Sequence, residues 1–396
     1  MSRIPLYDEE SYNNNRVVRY LNEKSHFGLW FTRFFNEYNN EWEVPKDGKT
    51  TWINSITYNK YKECGDTKAL EKYKLRTLNL IKTLKNKPEL HPEDFAICET
   101  NWNFVTGMGL PHPVENGMSW HHTLGVPYLA GSSIKGLLRA WVEGGWNEDL
   151  NEEQTKKRRR DWFGMVKGED GDDKDQAGQL IFFDAIPIAP VKLIPDIMTP
   201  HYGDWYAEGG NISNIQNQPE RIPADWHDPV PVPFLAVKDA KFLVTVAARD
   251  KNNDSEAKEA LKELVQALEW LGAGAKTAAG YGHLNRKTEE EQNILQEFGE
   301  KETVAKKEAE KKKILNELSG LEQEIYLSLS EVNQSEAEKL ASDWLDKMEV
   351  AESEDAKKIA IQLKAFYDKI GKWKNPSKKK QKPKVDRVKK VLGGLS

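Results

Sequence analysis

The sequence has few cysteines and no long uncharged apolar run. Cys64 and Cys98 are the only two cysteines, and they form no Cys-x-x-Cys pair, so the sequence argues against a disulfide scaffold and against a cysteine zinc site. No apolar stretch is long enough to span a membrane. The first fifteen residues contain no apolar signal segment. We therefore expect a cytoplasmic protein with no membrane partner, and we predict neither a cofactor nor a metal.

No single sign of charge dominates the composition. The 396 residues include 58 Lys or Arg and 63 Asp or Glu, which gives a formal net charge of −5. This balance does not exclude a nucleic-acid ligand, because the placement of charge matters more than its sum. Thirteen residues each of Trp, Tyr and Phe are enough to build a core, so wholesale disorder is excluded.

Composition changes near residue 287. Nearly all Gly, Pro and Trp residues precede this point, and long Glu/Lys/Ala/Leu stretches follow it. At this length we expect two to three domains. The predicted organisation is a mostly helical N-terminal region at 1–93, a compact domain at 94–287 with an insertion at 187–233, a helical appendage at 288–372 and a basic, mobile tail at 373–396.

The compact domain has a readable order of elements. Hydrophobic periodicity predicts a strand at 94–106, a helix from Ser132 to about residue 143, strands at 179–186 and 240–248, a helix at 255–271 and a strand at 281–285. Ser132 or Ser133 is expected to cap the first helix, and Asp254 or Ser255 the second. The fold class is therefore α+β, with a ferredoxin-like (RRM-like) β-α-β-β-α-β core carrying long insertions. A four-stranded sheet of this kind also serves as an RNA-recognition platform.

The start of the first helix is a candidate phosphate site. Unpaired N–H groups and the positive end of the helix dipole favour an anion there, and two cations follow one turn apart. The predicted contacts come from Gly131, Ser132, Ser133, Lys135 and Arg139. The alternative is an ordinary Ser-capped helix with two solvated cations.

A glycine-rich loop after the second helix is a second candidate. A nucleotide P-loop is excluded, because Trp270 and Ala275 stand where that motif needs glycine and because the loop precedes a strand rather than following one. Backbone cradling of a polynucleotide phosphate fits better. The alternative is a turn that merely needs positive φ angles. The predicted contacts are Gly272, Gly274, Lys276, Thr277, Gly280, Tyr281 and Gly282.

Two further groups are weaker candidates. Trp120, His121 and His122 lie in the loop before the first helix, where the Trp is a possible base-stacking residue and the His pair possible acid–base groups. Core packing and solvent-facing histidines are the alternatives. Arg158 and Arg159 belong to a run of five cations at 156–160 that is suited to phosphate contacts. A solvated helix surface is the alternative.

The chain resembles the RAMP proteins of type III CRISPR effector complexes. The resemblance rests on 125–139, 162–164, 178–185 and the glycine-rich loop 272–282, which occur in the order expected of the superfamily. Three further segments resemble the sixth subunit of Cmr (type III-B) complexes, namely 28–31, 197–202 and 231–237.

The resemblance implies a non-catalytic RNA-binding subunit. Such a subunit sits at the head of the complex near the 3′ end of the guide RNA, contacts target RNA, and touches the backbone RAMP subunit and the small helical subunit. The loop 107–131 contains no Asp, which argues against cleavage of target RNA by this chain. A metal-independent endoribonuclease that processes guide RNA is another branch of the superfamily, and His121, His122 and His283 keep that alternative open.

Overall fold

The computed structural model describes residues 25–57, 63–146, 150–167, 174–200, 202–208, 215–217, 219–224, 227–376 and 381–393. Residues 1–24 of the predicted helical N-terminal region lie outside this set. The chain divides into two compact units, one ending at Phe298 and one beginning at Gly299. The division falls inside a helix rather than at the predicted boundary of 287. Within the described residues, no helix combines the length and apolar character that a membrane crossing needs.

The first unit is α+β. Its helices are α1 (Phe27–Arg33), α2 (Gly48–Thr57), α3 (Thr67–Leu84), α4 (Gly131–Glu143), α5 (Glu152–Phe163), α6 (Gly203–Glu208) and α7 (Asp254–Trp270). Its strands are β1 (Glu63–Cys64), β2 (Ala96–Thr100), β3 (Asn103–Phe104), β4 (Gly164–Met165), β5 (Gln176–Ala177), β6 (Leu180–Phe182), β7 (Ile186–Pro187), β8 (Val191–Met198), β9 (Val232–Lys238), β10 (Lys241–Val244), β11 (Val246–Ala248) and β12 (Leu284–Arg286).

The central sheet has the strand order β12-β2-β10-β7, with every pair antiparallel. β10 lies in the middle, where Phe242 is opposite both Cys98 and Pro187. Helix α7 contacts α4, β11 and β12. Each helix turns one apolar stripe inward, as the 3.6-residue period predicts. The buried positions are Ile134, Leu138, Trp141 and Val142 of α4 and Leu261, Leu264 and Leu268 of α7.

A second sheet has the order β1-β8-β9-β3. The long pairing of β8 with β9, from Lys192 opposite Lys238 to Met198 opposite Val232, links the predicted insertion to the strand that follows it. The single strand predicted at 94–106 is instead two strands in two sheets. The chain leaves the first sheet after Thr100, and β3 then pairs with β9.

Both predicted helix caps are wrong, and in each case a long-range partner is the reason. Ala130 is the N-cap of α4 and makes no side-chain cap. The amide of Gly131 instead donates to Asp184 Oδ1 at 2.7 Å. Asn253 is the N-cap of α7, also without a side-chain bond, while the carboxylate of Asp254 forms ion pairs with lysines.

The second unit is helical. Its helices are α8 (Thr288–Glu317, shared with the first unit), α9 (Gly320–Ser330), α10 (Gln334–Val350), α11 (Ser353–Lys369) and α12 (Lys382–Gly393). Its core includes Ile325, Trp344, Leu345, Leu363 and Tyr367. The prediction of a mobile tail is wrong for 382–393, because Val385 and Val388 of α12 are buried in this core.

Candidate nucleic-acid interface

The start of α4 is already occupied by groups of the protein. The buried Gly131 donates its amide to the carboxylate of Asp184, and the amide of Ser133 donates to the carbonyl of Ala130 at 2.9 Å. The carboxylate takes the place that a phosphate would fill at a helix N-terminus. The amides of Gly131 and Ser133 are therefore not available to a phosphate.

The side chains near this helix start differ in how available they are. Arg139 forms an ion pair with Glu143 at 2.8 Å. Ser132, Ser133 and Lys135 are exposed. Within the described residues Lys135 has no ion-pair partner, so it is the one cation of this motif that is left for a ligand.

Trp120 cannot act as a base-stacking residue. Its side chain is buried, with its ring centroid 5.7 Å from that of Phe31. His121 is half-buried between Tyr73 and Tyr128, which contact it edge-on at 5.6 and 5.7 Å, and burial lowers its pKa. The sequence alternative of core packing is therefore correct for Trp120.

His122 is exposed and borders a groove of about 640 Å³. Its carbonyl accepts a hydrogen bond from His26 Nε2 at 2.8 Å, and His26 lines the same groove. His283 is held elsewhere, with Nδ1 2.8 Å from the carbonyl of Glu269 at the end of α7. None of the described contacts joins His283 to His121 or His122.

The cations of the basic run on α5 form ion pairs with carboxylates of the protein. Arg158 pairs with Glu263 and its guanidinium lies 4.7 Å from the ring centroid of Trp162. Arg159 lies 3.6 Å from Glu143. Both arginines connect α5 to neighbouring helices and are half-buried, so we withdraw them from the RNA-binding set.

Several glycines of the glycine-rich loop serve the fold. The amide of Gly282 donates to the carbonyl of Asn103, and the carbonyl of Gly282 accepts from Ala273, both at 2.8 Å. A Cβ on Gly282 would lie 1.9 Å from the Ala273 carbonyl oxygen, and one on Gly274 would lie 2.1 Å from that of Val105. The amide of Gly272 donates to Ala267. Gly272 and Gly282 are buried, and their hydrogen bonds are made within the fold.

The remaining part of the loop faces solvent. Gly274 and Gly280 are exposed, and Lys276 and Thr277 are half-exposed. The amides of Gly274 and Lys276 donate to no acceptor within the described chain. Lys276 has φ +60°, in the left-handed region, and its Nζ lies 5.5 Å from the ring centroid of Phe234 and 5.9 Å from that of Tyr281.

Trp102 lies beside this loop, and sequence reasoning missed it. Its side chain is 49% exposed, and its ring centroid is 4.7 Å from that of Tyr281. Tyr281 is buried and donates its hydroxyl to Asp196 Oδ2 at 2.5 Å. Burial and this carboxylate both raise the pKa of Tyr281. Tyr281 therefore supports Trp102 rather than contacting a ligand itself.

In the sequence, Trp102 is one aromatic residue inside the single strand predicted at 94–106, and nothing there marks the break between β2 and β3. We call Trp102, Gly274, Lys276, Thr277 and Gly280 the glycine-loop surface. It combines one aromatic face, one cation and two open amides. Those are the groups that bind a base and a phosphate of a single-stranded nucleic acid.

The two predicted phosphate sites rest on different parts of the fold. The loop packs on β3, through Asn103 and Val105, whereas Gly131 lies against residues 182–184. None of the hydrogen bonds, ion pairs or ring contacts of the described residues joins the two sites. These contacts therefore do not connect Lys135 with Lys276. Nor do the described residues contain a group of three or more His, Cys, Asp or Glu that could hold a metal ion.

The family model of the RAMP superfamily matches residues 98–285, which include β2, α4, α7 and the glycine-rich loop. Residues 98–285 therefore carry the RAMP signature. The matched segment begins in β2 and ends in β12, so it lies in the first unit.

Two curated Cmr6 subunits are similar to this chain. It is 33% identical over 234 residues to the CRISPR system Cmr subunit Cmr6 of Pyrococcus furiosus, covering 47% of this chain and 66% of that protein. It is 30% identical over 96 residues to the Cmr6 of Saccharolobus solfataricus, covering 24% and 28% of the two chains. The matched length is therefore less than two thirds of each of these relatives.

Two solved structures are also similar. The crystal structure of Cmr6 from Pyrococcus furiosus is 28% identical, with a TM-score of 0.29, and covers 49% of this chain and 97% of that one. A cryo-EM structure of the type III-B Cmr-beta bound to cognate target RNA contains a chain that is 18% identical, with a TM-score of 0.41, covering 71% and 82%.

Proposed function

We propose that this protein is a non-catalytic RNA-binding subunit of a type III-B CRISPR effector complex, and that single-stranded RNA binds at the glycine-loop surface. The observation that carries the proposal is the exposed face of Trp102, held by Tyr281 next to Lys276. An exposed aromatic ring offers a stacking platform to any base, and an adjacent cation attracts the phosphate.

The positioning of these groups favours a ligand over a passive surface. Tyr281 is fixed by its hydrogen bond to Asp196, so the platform beneath Trp102 is rigid. Lys276 lies over two rings, which limits the freedom of its side chain. Groups ordered in advance lose little entropy when they bind.

The partners follow from the similarity to Cmr6 subunits. We expect the chain to hold the guide RNA near its 3′ end, to meet target RNA, and to contact the backbone RAMP subunit and the small helical subunit in the cytoplasm. The fold supports a ferredoxin-like core. In a β-α-β-β-α-β unit the four strands form an antiparallel sheet in the order four-one-three-two. The observed order β12-β2-β10-β7 matches it when these strands are numbered along the chain, and α4 and α7 are in contact as the two helices of such a unit are.

Fluorescence anisotropy with a labelled 20-nucleotide single-stranded RNA tests the site. Loss of one stacked base costs about 1–3 kcal/mol, so Trp102→Ala should weaken binding roughly tenfold. Trp146→Ala is the matched control, since Trp146 is 54% exposed and also stacks on another ring, that of Trp141. It should bind as the wild type does.

Lys276→Gln separates charge from stacking. It should lower the slope of log K against log salt by about 0.7, the value for one phosphate contact on a single strand. Trp102→Ala should leave that slope unchanged. Wild-type affinity and slope in both variants would contradict the proposed site.

The position on the guide is tested by crosslinking in the assembled complex. A guide carrying 4-thiouridine near its 3′ end should crosslink to a peptide that contains Trp102, whereas the same label near the 5′ end should not. The reverse pattern would overturn the assignment to the 3′ end.

A metal-independent endoribonuclease is the second candidate. The observation that favours it is the groove bordered by both His26 and His122, with Arg33 in its wall. Burial lowers the pKa of the neighbouring His121, so that residue would be a neutral base rather than an acid at pH 7. Incubation of the protein with repeat RNA and a chelator decides between the two. Specific cleavage that is lost in His121→Ala or His122→Ala would replace the binding-only function.

A further inference from the structure

The second unit separates its charges along the chain. Residues 299–356 contain eight Lys and sixteen Asp or Glu, whereas residues 357–393 contain fourteen Lys or Arg and only two acids, Asp368 and Asp386. The RAMP match ends at residue 285, so it does not account for this basic segment.

Some of these cations stabilise the helical unit. Lys372 pairs with Glu338, and Arg387 bridges Asp346 at 2.8 Å and Glu349 at 2.6 Å. These ion pairs connect α12, and the turn that follows α11, to the acidic side of α10. Lys358 also pairs with Glu354 and Asp355, and Lys384 donates to the hydroxyl of Ser342, so these cations too serve the fold.

Two other lysines of this segment lie close to the ring of Trp373. Lys364 Nζ lies 5.8 Å from the Trp373 ring centroid and Lys389 Nζ lies 5.4 Å from it. Lys357 and Lys382 lie two helical turns before these two lysines, on the same faces of α11 and α12. We call these four lysines and Trp373 the Trp373 surface.

The lysines of the Trp373 surface are available. Lys364, Lys382 and Lys389 are exposed, and Lys357 is half-exposed. Within the described residues, none of the four forms an ion pair. Asp368 and Asp386 lie on the same helix faces and reduce the local charge without pairing with these lysines. The surface therefore keeps a net positive charge on a folded scaffold.

We propose that the Trp373 surface binds the phosphate backbone of single-stranded RNA without regard to sequence. The proposal rests on the RNA-binding function above only in naming RNA as the ligand. Lysine ammonium groups bind phosphate as point charges. On each of the two helices, the two lysines are seven residues apart, which is about 10 Å along the helix axis. Such repeated positive charges suit a ligand whose phosphates also repeat. Since the ring of Trp373 is in contact with two ammonium groups, its role is to order those lysines rather than to stack on a base.

The test uses the full chain and the variant Lys364→Gln/Lys382→Gln/Lys389→Gln. The matched control is Lys306→Gln/Lys307→Gln/Lys312→Gln, which removes three exposed lysines of α8 that form no ion pair with described residues. Anisotropy is measured from 50 to 200 mM salt with labelled U20 and with a mixed-sequence 20-nucleotide RNA. Loss of three phosphate contacts lowers the salt slope by about 2.1, so the change in affinity over this range shrinks by about 18-fold.

The loss should be equal for both RNAs, and the control should keep the wild-type slope. The variant Lys364→Arg/Lys382→Arg/Lys389→Arg retains the charge and should restore binding. A wild-type slope in the glutamine variant would overturn the proposal. So would an unchanged RNA slope combined with lost binding to labelled poly-L-glutamate, which would assign the surface to an acidic protein instead.

This outcome is separable from that of the glycine-loop surface. If the glutamine variant lowers the slope while Trp102→Ala and Lys276→Gln behave as wild type, the Trp373 surface stands and the glycine-loop surface fails. The opposite pattern removes the Trp373 surface and leaves the first proposal intact.

Discussion

Four charged residues form a buried ion cluster where three elements of the first unit meet. Asp94, just before β2, has a fully buried side chain that lies 2.5 Å from Lys87 Nζ and 3.1 Å from Lys85 Nζ. Asp254, the first residue of α7, lies 3.1 Å from each lysine. Both lysines follow the end of α3. The cluster therefore fixes the end of α3 against the starts of β2 and α7.

Asp94→Asn tests how much this cluster stabilises the fold. The variant leaves Lys85, whose side chain is 2% exposed, with Asp254 as its one remaining anionic partner. Removing one member of a buried ion pair costs about 3–5 kcal/mol, and the amide oxygen still accepts from the His91 amide, so we expect a loss of about 3 kcal/mol. For a unit of this size that lowers the melting temperature by about 5 °C.

The pH dependence of stability tests independently whether the ionised Asp94 stabilises the fold. Burial alone raises the pKa of Asp94, but the hydrogen bonds from Lys87 and His91 and the charge of Lys85 outweigh it and hold the pKa below its ordinary value. A depressed pKa stabilises the fold above the unfolded-state pKa of about 3.9, and that stabilisation is lost as the pH falls through the folded-state value. The difference in stability between the wild type and Asp94→Asn should therefore begin to shrink below about pH 4 and disappear only below the folded-state pKa of Asp94.

Thermal unfolding of the full chain by calorimetry, from pH 7 down to pH 3, measures both effects. Glu152→Gln is the control, because Glu152 is 84% exposed in its ion pair with Lys156 and solvent screens such a surface pair. A variant Asp94→Asn that melts within 1 °C of the wild type at pH 7 would refute the reasoning.

Three further substitutions probe the glycine-rich loop and α4, each measured by thermal unfolding. Gly274→Ala should cost more than about 2 kcal/mol, because its Cβ would meet the Val105 carbonyl and its φ is +88°. Gly136→Ala, which meets no atom within 4 Å inside α4, should instead stabilise by about 0.5–1 kcal/mol, and destabilisation there would contradict the packing described. Tyr281→Phe should cost about 1.5–3 kcal/mol through loss of the bond to Asp196, and should also weaken RNA binding by loosening Trp102; unchanged stability and RNA affinity would contradict this role.

Local periodicity in the sequence was enough to find the helices that frame the central sheet. The predicted helix at 255–271 is α7, and the helix predicted from Ser132 is α4. Their apolar positions repeat every three or four residues, and this signal needs no knowledge of distant partners. The caps failed for the opposite reason. Asp184 lies far along the chain from Gly131, so the sequence near the helix gives no indication that its carboxylate will accept that amide.

In the candidate site, too, local sequence found some features, whereas contacts between residues distant in sequence decided others. The glycine-rich loop was found from its composition, but composition treats all its glycines alike. In the structure, the close approach of β3 makes Gly274 necessary for packing and buries Gly282, while the segment around Lys276 turns outward. Arg158 was predicted to bind phosphate from charge alone, and Glu263 on α7 neutralises it. Both errors come from contacts between residues that are distant in sequence.

Lys276 shows how structural and functional explanations of one residue can be separated. Its left-handed backbone costs about 1–2 kcal/mol relative to an ordinary conformation, and its two ring contacts offset about that much. Strain is thus balanced within the fold and does not by itself indicate a ligand. The ring contacts would serve stability equally well if Trp102 were buried. Trp102 packs on Tyr281 and is still 49% exposed, and it is this exposed aromatic surface that makes a ligand the better explanation.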